Sequence, residues 1–135
     1  MTITIDVTVD APVEAVWNAW TSPAQITRWN FASDDWACPR AELDLRPGGK
    51  FSYRMEAKDG SMGFDFEGEF TAVIPNRRIE YSLGDERKVS IDFVSEAGAT
   101  RIVESFDAED AHSGEAQRRG WLSILHNFKK LVENR

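Results

Sequence analysis

Residues 2–9 alternate without a fault: Ile3, Ile5, Val7 and Val9 fall on one side of an extended chain, and Thr2, Thr4, Asp6 and Thr8 on the other. A period of two over this length predicts a strand with one buried face. The pattern breaks at Asp10-Ala11-Pro12, where Asp or Ala can cap a helix and Pro is tolerated in the first turn because its missing N–H has no partner there. Val13, Val16, Trp17 and Trp20 then recur at i, i+3, i+4 and i+7, the apolar stripe of a short amphipathic helix. Ser22-Pro23-Ala24-Gln25 predicts a second start, with Ser22 as N-cap, Pro23 at the first position and Gln25 completing a capping box. Ile26 and Trp29 give that helix its apolar side.

Residues 30–39 carry no period, yet hold Phe31, Trp36 and Cys38 among Ser33, Asp34 and Asp35; they read as an irregular loop with buried-type rings. The period then returns to two for nearly seventy residues. Ala41, Leu43 and Leu45 mark one strand, Phe51, Tyr53 and Met55 the next, and Phe64, Phe66, Gly68, Phe70, Ala72 and Ile74 a long third. Ile79, Tyr81 and Leu83, then Val89, Ile91 and Phe93, then Ile102 and Phe106 mark three more. Short breaks with turn chemistry separate them, among them Pro47-Gly48-Gly49, Asp59-Gly60, Pro75-Asn76, Gly84-Asp85 and Ala97-Gly98, so an antiparallel meander is expected. From Ser113 to Asn134 the period is helical again, with Trp121, Leu122, Ile124, Leu125, Phe128, Leu131 and Val132 at spacings of three and four. About 20 residues at 1.5 Å each give a helix of about 30 Å, long enough to cross a sheet.

One strand, two short helices, about six strands and a long C-terminal helix predict an α+β fold whose sheet has one apolar face, covered by the last helix. About seven twisted strands are wider than a helix of roughly 10 Å diameter, so a sheet curling around it tends to leave a gap between the two.

Composition sharpens this picture. The 135 residues predict a single domain, residues 1–135, large enough to bury a core without staples. The lone cysteine, Cys38, cannot form an internal disulfide, and the first residues lack a basic stretch followed by an apolar one, so a cytoplasmic protein is expected. No apolar run approaches a membrane span, and the net charge of −7 argues against nucleic acid or an anionic bilayer as partner. The 8 Phe, 5 Trp and 2 Tyr are the unusual feature, since so many large rings must pack together or line something.

The order of elements, with Ala11-Pro12, Val16-Trp17, Thr21-Ser22-Pro23, Trp29, the run from Asp44 to Phe51 (Asp-Leu-Arg-Pro-Gly-Gly-Lys-Phe), Asp59-Gly60, Gly68-Glu69-Phe70, the run from Pro75 to Ile79, Thr100 and Gly120-Trp121, resembles a known family over essentially the whole chain. It is similar to the helix-grip fold of the START-like, birch-pollen-allergen-like (SRPBCC) superfamily, and within it to the group named after the activator of the heat-shock-protein-ninety ATPase. The resemblance implies a seven-stranded antiparallel sheet curled around the C-terminal helix, two short helices after the first strand, and an apolar cavity between sheet and helix. It also implies that the loop at residues 30–40 lies over the cavity mouth, and that the position of Glu104 is usually apolar. It implies no single chemistry, because relatives include lipid carriers, hormone binders, cyclases and co-chaperone domains.

Parity and helical spacing nominate the cavity walls. Phe51, Tyr53, Phe64, Phe66, Tyr81, Ile91, Phe93, Ile102 and Phe106 come from the strands, and Trp121, Ile124, Leu125 and Phe128 from the last helix. Trp29, Phe31 and Trp36 flank the loop, as a lid or as a separate cluster that pins it. Glu104 lies between Ile102 and Phe106 at inward parity. A carboxylate among rings would have a raised pKa and could hold a ligand's donors or act as an acid or base; alternatively it reaches water at the open end of the sheet or pairs with Arg101. Tyr53 and Tyr81 bring hydroxyls to the same face. Gly120, inside a helix, points to extra room or a close approach.

Other chemistry is scarce. There is no glycine-rich phosphate loop, no Gly-x-Ser-x-Gly elbow and no paired Cys or His motif. His112 and His126 stand alone, and the aspartates beside Cys38 would raise its thiol pKa, so all three read as structural or surface residues. Asp65, Glu67 and Glu69 share the parity opposite Phe64 and Phe66, a solvated outer face able to pair with Lys50 and Arg54; no metal site or cofactor is expected.

The first expectation is therefore a non-enzymatic domain that binds an apolar or aromatic small molecule in a cavity of a few hundred Å³ touching Trp121 and Phe66. The second is a cyclase, dehydratase or hydrolase using Glu104 with the tyrosine hydroxyls. The third, from the resemblance alone, is a chaperone-interaction module. Monomer and homodimer stay equally open.

Overall fold

A computed structural model describes residues 1–109 and 113–134; His112 lies outside them. The chain runs β1 (Thr2–Val9), α1 (Val13–Thr21), α2 (Pro23–Trp29), β2 (Trp36–Leu43), β3 (Lys50–Ala57), β4 (Gly63–Ile74), β5 (Arg78–Leu83), β6 (Lys88–Glu96), β7 (Ala99–Asp107) and α3 (Gly114–Glu133). All seven strands form one antiparallel sheet in the order β1-β7-β6-β5-β4-β3-β2. Consecutive strands from β2 to β7 are neighbours, as the short turns require. β1 closes the far edge beside β7, so α1 and α2 carry the chain from one edge of the sheet to the other. α3 packs against β1, α1 and α2. The α+β helix-grip arrangement expected from the sequence is present.

β1 buries Ile3, Ile5, Val7 and Val9 and exposes the polar residues between them, the alternation read in the sequence. α3 begins at the Ser113 cap, whose hydroxyl accepts from the Ala116 N–H at 3.1 Å. Its buried side is Leu125, Phe128 and Val132.

Four local expectations are corrected. Trp36 to Pro39 do not belong to a loop: they open β2, whose pairing with β3 shifts register between Ala37 and Arg40, and this irregularity erases the period of two. A second shift between Phe70 and Ala72 reverses parity in β4, so Val73 pairs with buried Ile79 while Ile74 is left 47% exposed. Pro12, in extended conformation, is itself the N-cap of α1 in place of Asp10 or Ala11. No capping box forms at α2: the Ser22 side chain makes no cap hydrogen bond, and the Gln25 Oε1 atom is buried without a partner.

The two-residue link between β6 and β7 is a tight hairpin with Ala97 at φ 50° and Gly98 at φ 87°, both left-handed, as a type I′ turn requires. Gly68 in β4 answers a different need. A Cβ there would lie 2.6 Å from the Ser82 carbonyl oxygen and 2.8 Å from the ring of Phe51, its partner on β3. The absence of a side chain lets Phe51 lie flat across the sheet.

Candidate functional site

The sheet presents rings along its whole concave face, and two groups of them are covered in different ways. On the β6–β7 side the helices supply matching rings. Phe93 meets Trp17 at 5.3 Å and Trp20 at 5.7 Å between centroids, edge to face, and Phe106 stacks on Trp121 at 4.1 Å. Trp20, Trp29 and Phe128 close a further triangle at 4.8–5.0 Å, and the Trp29 indole N–H donates to the Ala19 carbonyl at 3.0 Å, locking α2 on α1. This side is solid. Ile91, Phe93, Ile102, Phe106, Leu125 and Phe128 are buried in the core and none of them faces the cavity left on the other side of the sheet.

On the β3–β5 side no helix is close enough to fill the curve. A cavity of about 180 Å³ remains there, floored by Tyr53, Phe66, Phe70 and Tyr81 and roofed by Trp121 and Ile124 of α3. Trp20, Thr21, Trp29 and Asn30 form its end at the α1–α2 corner, and Leu43, Leu45, Met55, Phe64, Ile79 and Glu104 complete the wall. Of the residues nominated from the sequence, this space gathers Trp29, Tyr53, Phe64, Phe66, Tyr81, Glu104, Trp121 and Ile124. Phe51 sits behind it, within 4.8–5.9 Å of Tyr53, Phe66, Phe70 and Tyr81.

Phe31 and Trp36 are half-buried and outside this lining. The segment between them is tied down: Asn127 of α3 donates to the carbonyls of Trp29 (3.3 Å) and Phe31 (3.1 Å), and the Lys58 N–H donates to the Asp35 carbonyl at 2.8 Å. Trp36 instead meets Phe64 at 6.1 Å, and Phe64 is half-exposed at the rim.

Sequence reading missed Trp20, Thr21, Asn30, Leu43, Leu45, Met55, Phe70 and Ile79 as wall residues. Five of them carry the inward parity used for their neighbours, and Trp20 lies on the apolar stripe of α1; Thr21 and Asn30 carry no periodic signal. A Cβ on Gly120 would meet nothing within 4 Å, so this glycine brings no element close.

The polar groups facing the cavity are few. Glu104 is 5% exposed, between Ile5 of β1 and Ile91 of β6. Loss of solvent alone pushes its carboxyl up to about 8, with no hydrogen bond or cation holding the charged form. Arg101 is occupied elsewhere, bridging to Asp6 at 3.1 Å on the outer face. Burial also drives the Tyr53 and Tyr81 hydroxyls upward, Tyr81 further through the Glu104 charge. At neutral pH both tyrosines are uncharged and burial favours the protonated form of Glu104, so all three can donate a proton in a hydrogen bond.

Cys38 is buried in β2, its thiol donating to the Arg40 carbonyl at 3.6 Å and pushed up by burial; it does not face the cavity. His126 is exposed on α3. Asp65 faces outward and pairs with Arg54 at 3.5 Å and Arg40 at 3.4 Å, while Glu69 stands opposite Lys50 in register. Among the described residues no group of three or more His, Cys, Asp or Glu could hold a metal ion, and no helix is long and apolar enough to cross a membrane.

Beyond the inner wall lies a wider outer cleft that shares Phe64, Phe66 and Trp121 with the cavity. Trp121 thus stands between the two spaces. The cleft is lined by Asp65, Glu67, Asp85 and Glu109 against one guanidinium, Arg87, which bridges to Asp85 at 2.7 Å and Glu109 at 3.0 Å.

Solved structures share this architecture. An AHSA1-like protein from Aeromonas hydrophila, known from solution NMR, is 46% identical, with a TM-score of 0.93 over 99% of this chain and 93% of that one. A Cytophaga hutchinsonii protein, also a solution structure, is 49% identical, with a TM-score of 0.86 over 98% and 92%. A crystal structure of a Nitrosomonas europaea protein at 20% identity shares the fold, with a TM-score of 0.81 over 99% and 95%. Comparison with curated proteins gives no match. The family described as activator of Hsp90 ATPase homolog 1-like protein matches residues 10–133. With sequence, topology and close structural relatives in agreement, the chain belongs to the activator of Hsp90 ATPase homolog 1-like family, within the START-like helix-grip fold.

Proposed function

We propose that the protein is a binding domain for a small, largely apolar molecule held between β3–β5 and α3. The observation that carries this reading is the cavity of about 180 Å³, walled by rings on the side of the sheet that no helix fills. An apolar void of about 150 Å³ is known to stay dry and to accept benzene, so a space of this size suits one ring with a short substituent. It is smaller than the few hundred Å³ expected from the sequence.

Catalysis is the weaker reading. Burial favours the protonated, donor forms of Glu104, Tyr53 and Tyr81, and no histidine or second carboxylate lines the cavity to complete an acid–base pair. A chaperone contact draws its support from the family match alone, and a pull-down with the purified chaperone tests it.

Binding is tested by titrating isotope-labelled protein with ethylbenzene and following the indole N–H signals of Trp20, Trp29 and Trp121. Saturable shifts at Trp29 and Trp121 that vanish in a cavity-filling Ile124→Phe variant are expected. Failure of any one-ring hydrocarbon to shift them overturns the reading.

A further inference from the structure

We infer that the ligand is a small amine, its ring in the aromatic cavity and its nitrogen against the Glu104 carboxyl. This inference rests on the binding reading above and names the chemistry of that same site.

Three observations converge on it. Glu104 is buried to 5% exposure and faces the cavity without a hydrogen bond or ion pair to offset its loss of water. A buried polar group left in that condition is costly, and a donor brought by the ligand removes the cost. The cavity lining contains no Lys, Arg or His, so an anionic ligand finds no cation in the wall, whereas a wall built of aromatic rings, Phe66, Phe70 and Tyr81 among them, is compatible with a cation. Finally, the whole chain carries −7, a balance that favours the approach of cations over anions.

The protonation balance gives the inference its own signature. The groups that bear on Glu104 are Tyr81 of β5 and, through it, Tyr53 of β3 and Arg87 beside the cleft. Its neighbours Ile5 of β1 and Ile91 of β6, and Trp121 and Ile124 of α3, which share the cavity, do not titrate. Both tyrosines stay protonated through pH 9. At pH 7 the empty site holds a neutral Glu104 and the free amine is an ammonium ion. Two protons on the separate partners become one shared between nitrogen and carboxylate, so close to one proton leaves for each amine bound.

The test is calorimetry at pH 7 with three probes of similar shape: 2-phenylethylamine, propylbenzene and phenylacetate, each in phosphate and in Tris buffer. Expected are binding of 2-phenylethylamine at least about tenfold tighter than propylbenzene, release of close to one proton read from the buffer dependence of the heat, and no binding of phenylacetate. In Glu104→Gln the amine preference and the proton release are lost while propylbenzene still binds. Equal binding of amine and hydrocarbon, or no proton release, overturns the amine assignment and leaves the cavity reading standing. If neither ligand binds, both readings fall.

Discussion

Trp121 of α3 lies face to face on Phe106 of β7, with ring centroids 4.1 Å apart and planes only 8° from parallel, and it also meets Phe66 edge to face at 6.1 Å. One side chain therefore fastens the helix to the solid half of the sheet and roofs the open half. Trp121→Ala is expected to remove about 3 kcal/mol of stability, a fall in melting temperature of about 10 °C, and to admit two-ring ligands that the native cavity rejects. Thermal denaturation with and without naphthalene measures both. A variant that melts like the native protein and takes no larger ligand would contradict this placement.

Glu104 makes stability depend on pH with a definite sign. Below its ordinary value of 4.5 the carboxyl is protonated in both folded and unfolded chains and costs nothing. Between 4.5 and about 8 the unfolded chain ionises and the folded one does not, so each rise in pH favours unfolding until both are ionised. At 1.36 kcal/mol per unit, the loss by pH 9 is on the order of 5 kcal/mol. Urea denaturation of native protein and Glu104→Gln at pH 5, 7 and 9 should show the variant's stability changing less with pH and exceeding the native value at pH 9.

Gly68 is required by Phe51, not by a turn. Gly68→Ala pushes a methyl group into the Ser82 carbonyl and the Phe51 ring, at an expected cost of about 2 kcal/mol. A companion Phe51→Leu change, which removes the flat ring, should recover part of that loss. If Gly68→Ala alone melts at the native temperature, the close approach is not what selects glycine.

Ala97 occupies a left-handed position at φ 50°, where a β-carbon is strained. Ala97→Asn creates the Asn-Gly pair preferred in type I′ hairpins and should add about 0.5–1 kcal/mol, read as a higher denaturation midpoint with ligand binding unchanged. A lower midpoint would show that the hairpin has another geometry in solution.

The fold was legible because burial alternates throughout β1 and β7 and as far as Phe93 in β6, and the buried residues of β3 and β5 keep one parity, as one buried face imposes. It was lost where a bulge adds a residue: the shift in β2 concealed Trp36, and the one in β4 exchanged Val73 for Ile74. The cavity was harder to read than the sheet. Parity tells which way Phe93 and Phe66 point, but not that Trp17 and Trp20 reach Phe93 while Phe66 faces open space. That difference depends on where the helices cross the sheet, a tertiary fact with no local pattern. Glu104 was visible for the opposite reason, as one charged residue at a position where the alternation demands an apolar one.

The irregular start of β2 has a further consequence. β2 is an edge strand, and an edge exposes unpaired N–H and C=O groups that can recruit the edge of another molecule. Here Pro39 has no N–H to offer, the register shift between Ala37 and Arg40 bends the strand out of line, and Arg40 and Glu42 are exposed along it. The break in pattern that hid the strand in the sequence also makes this edge a poor template for pairing with another chain.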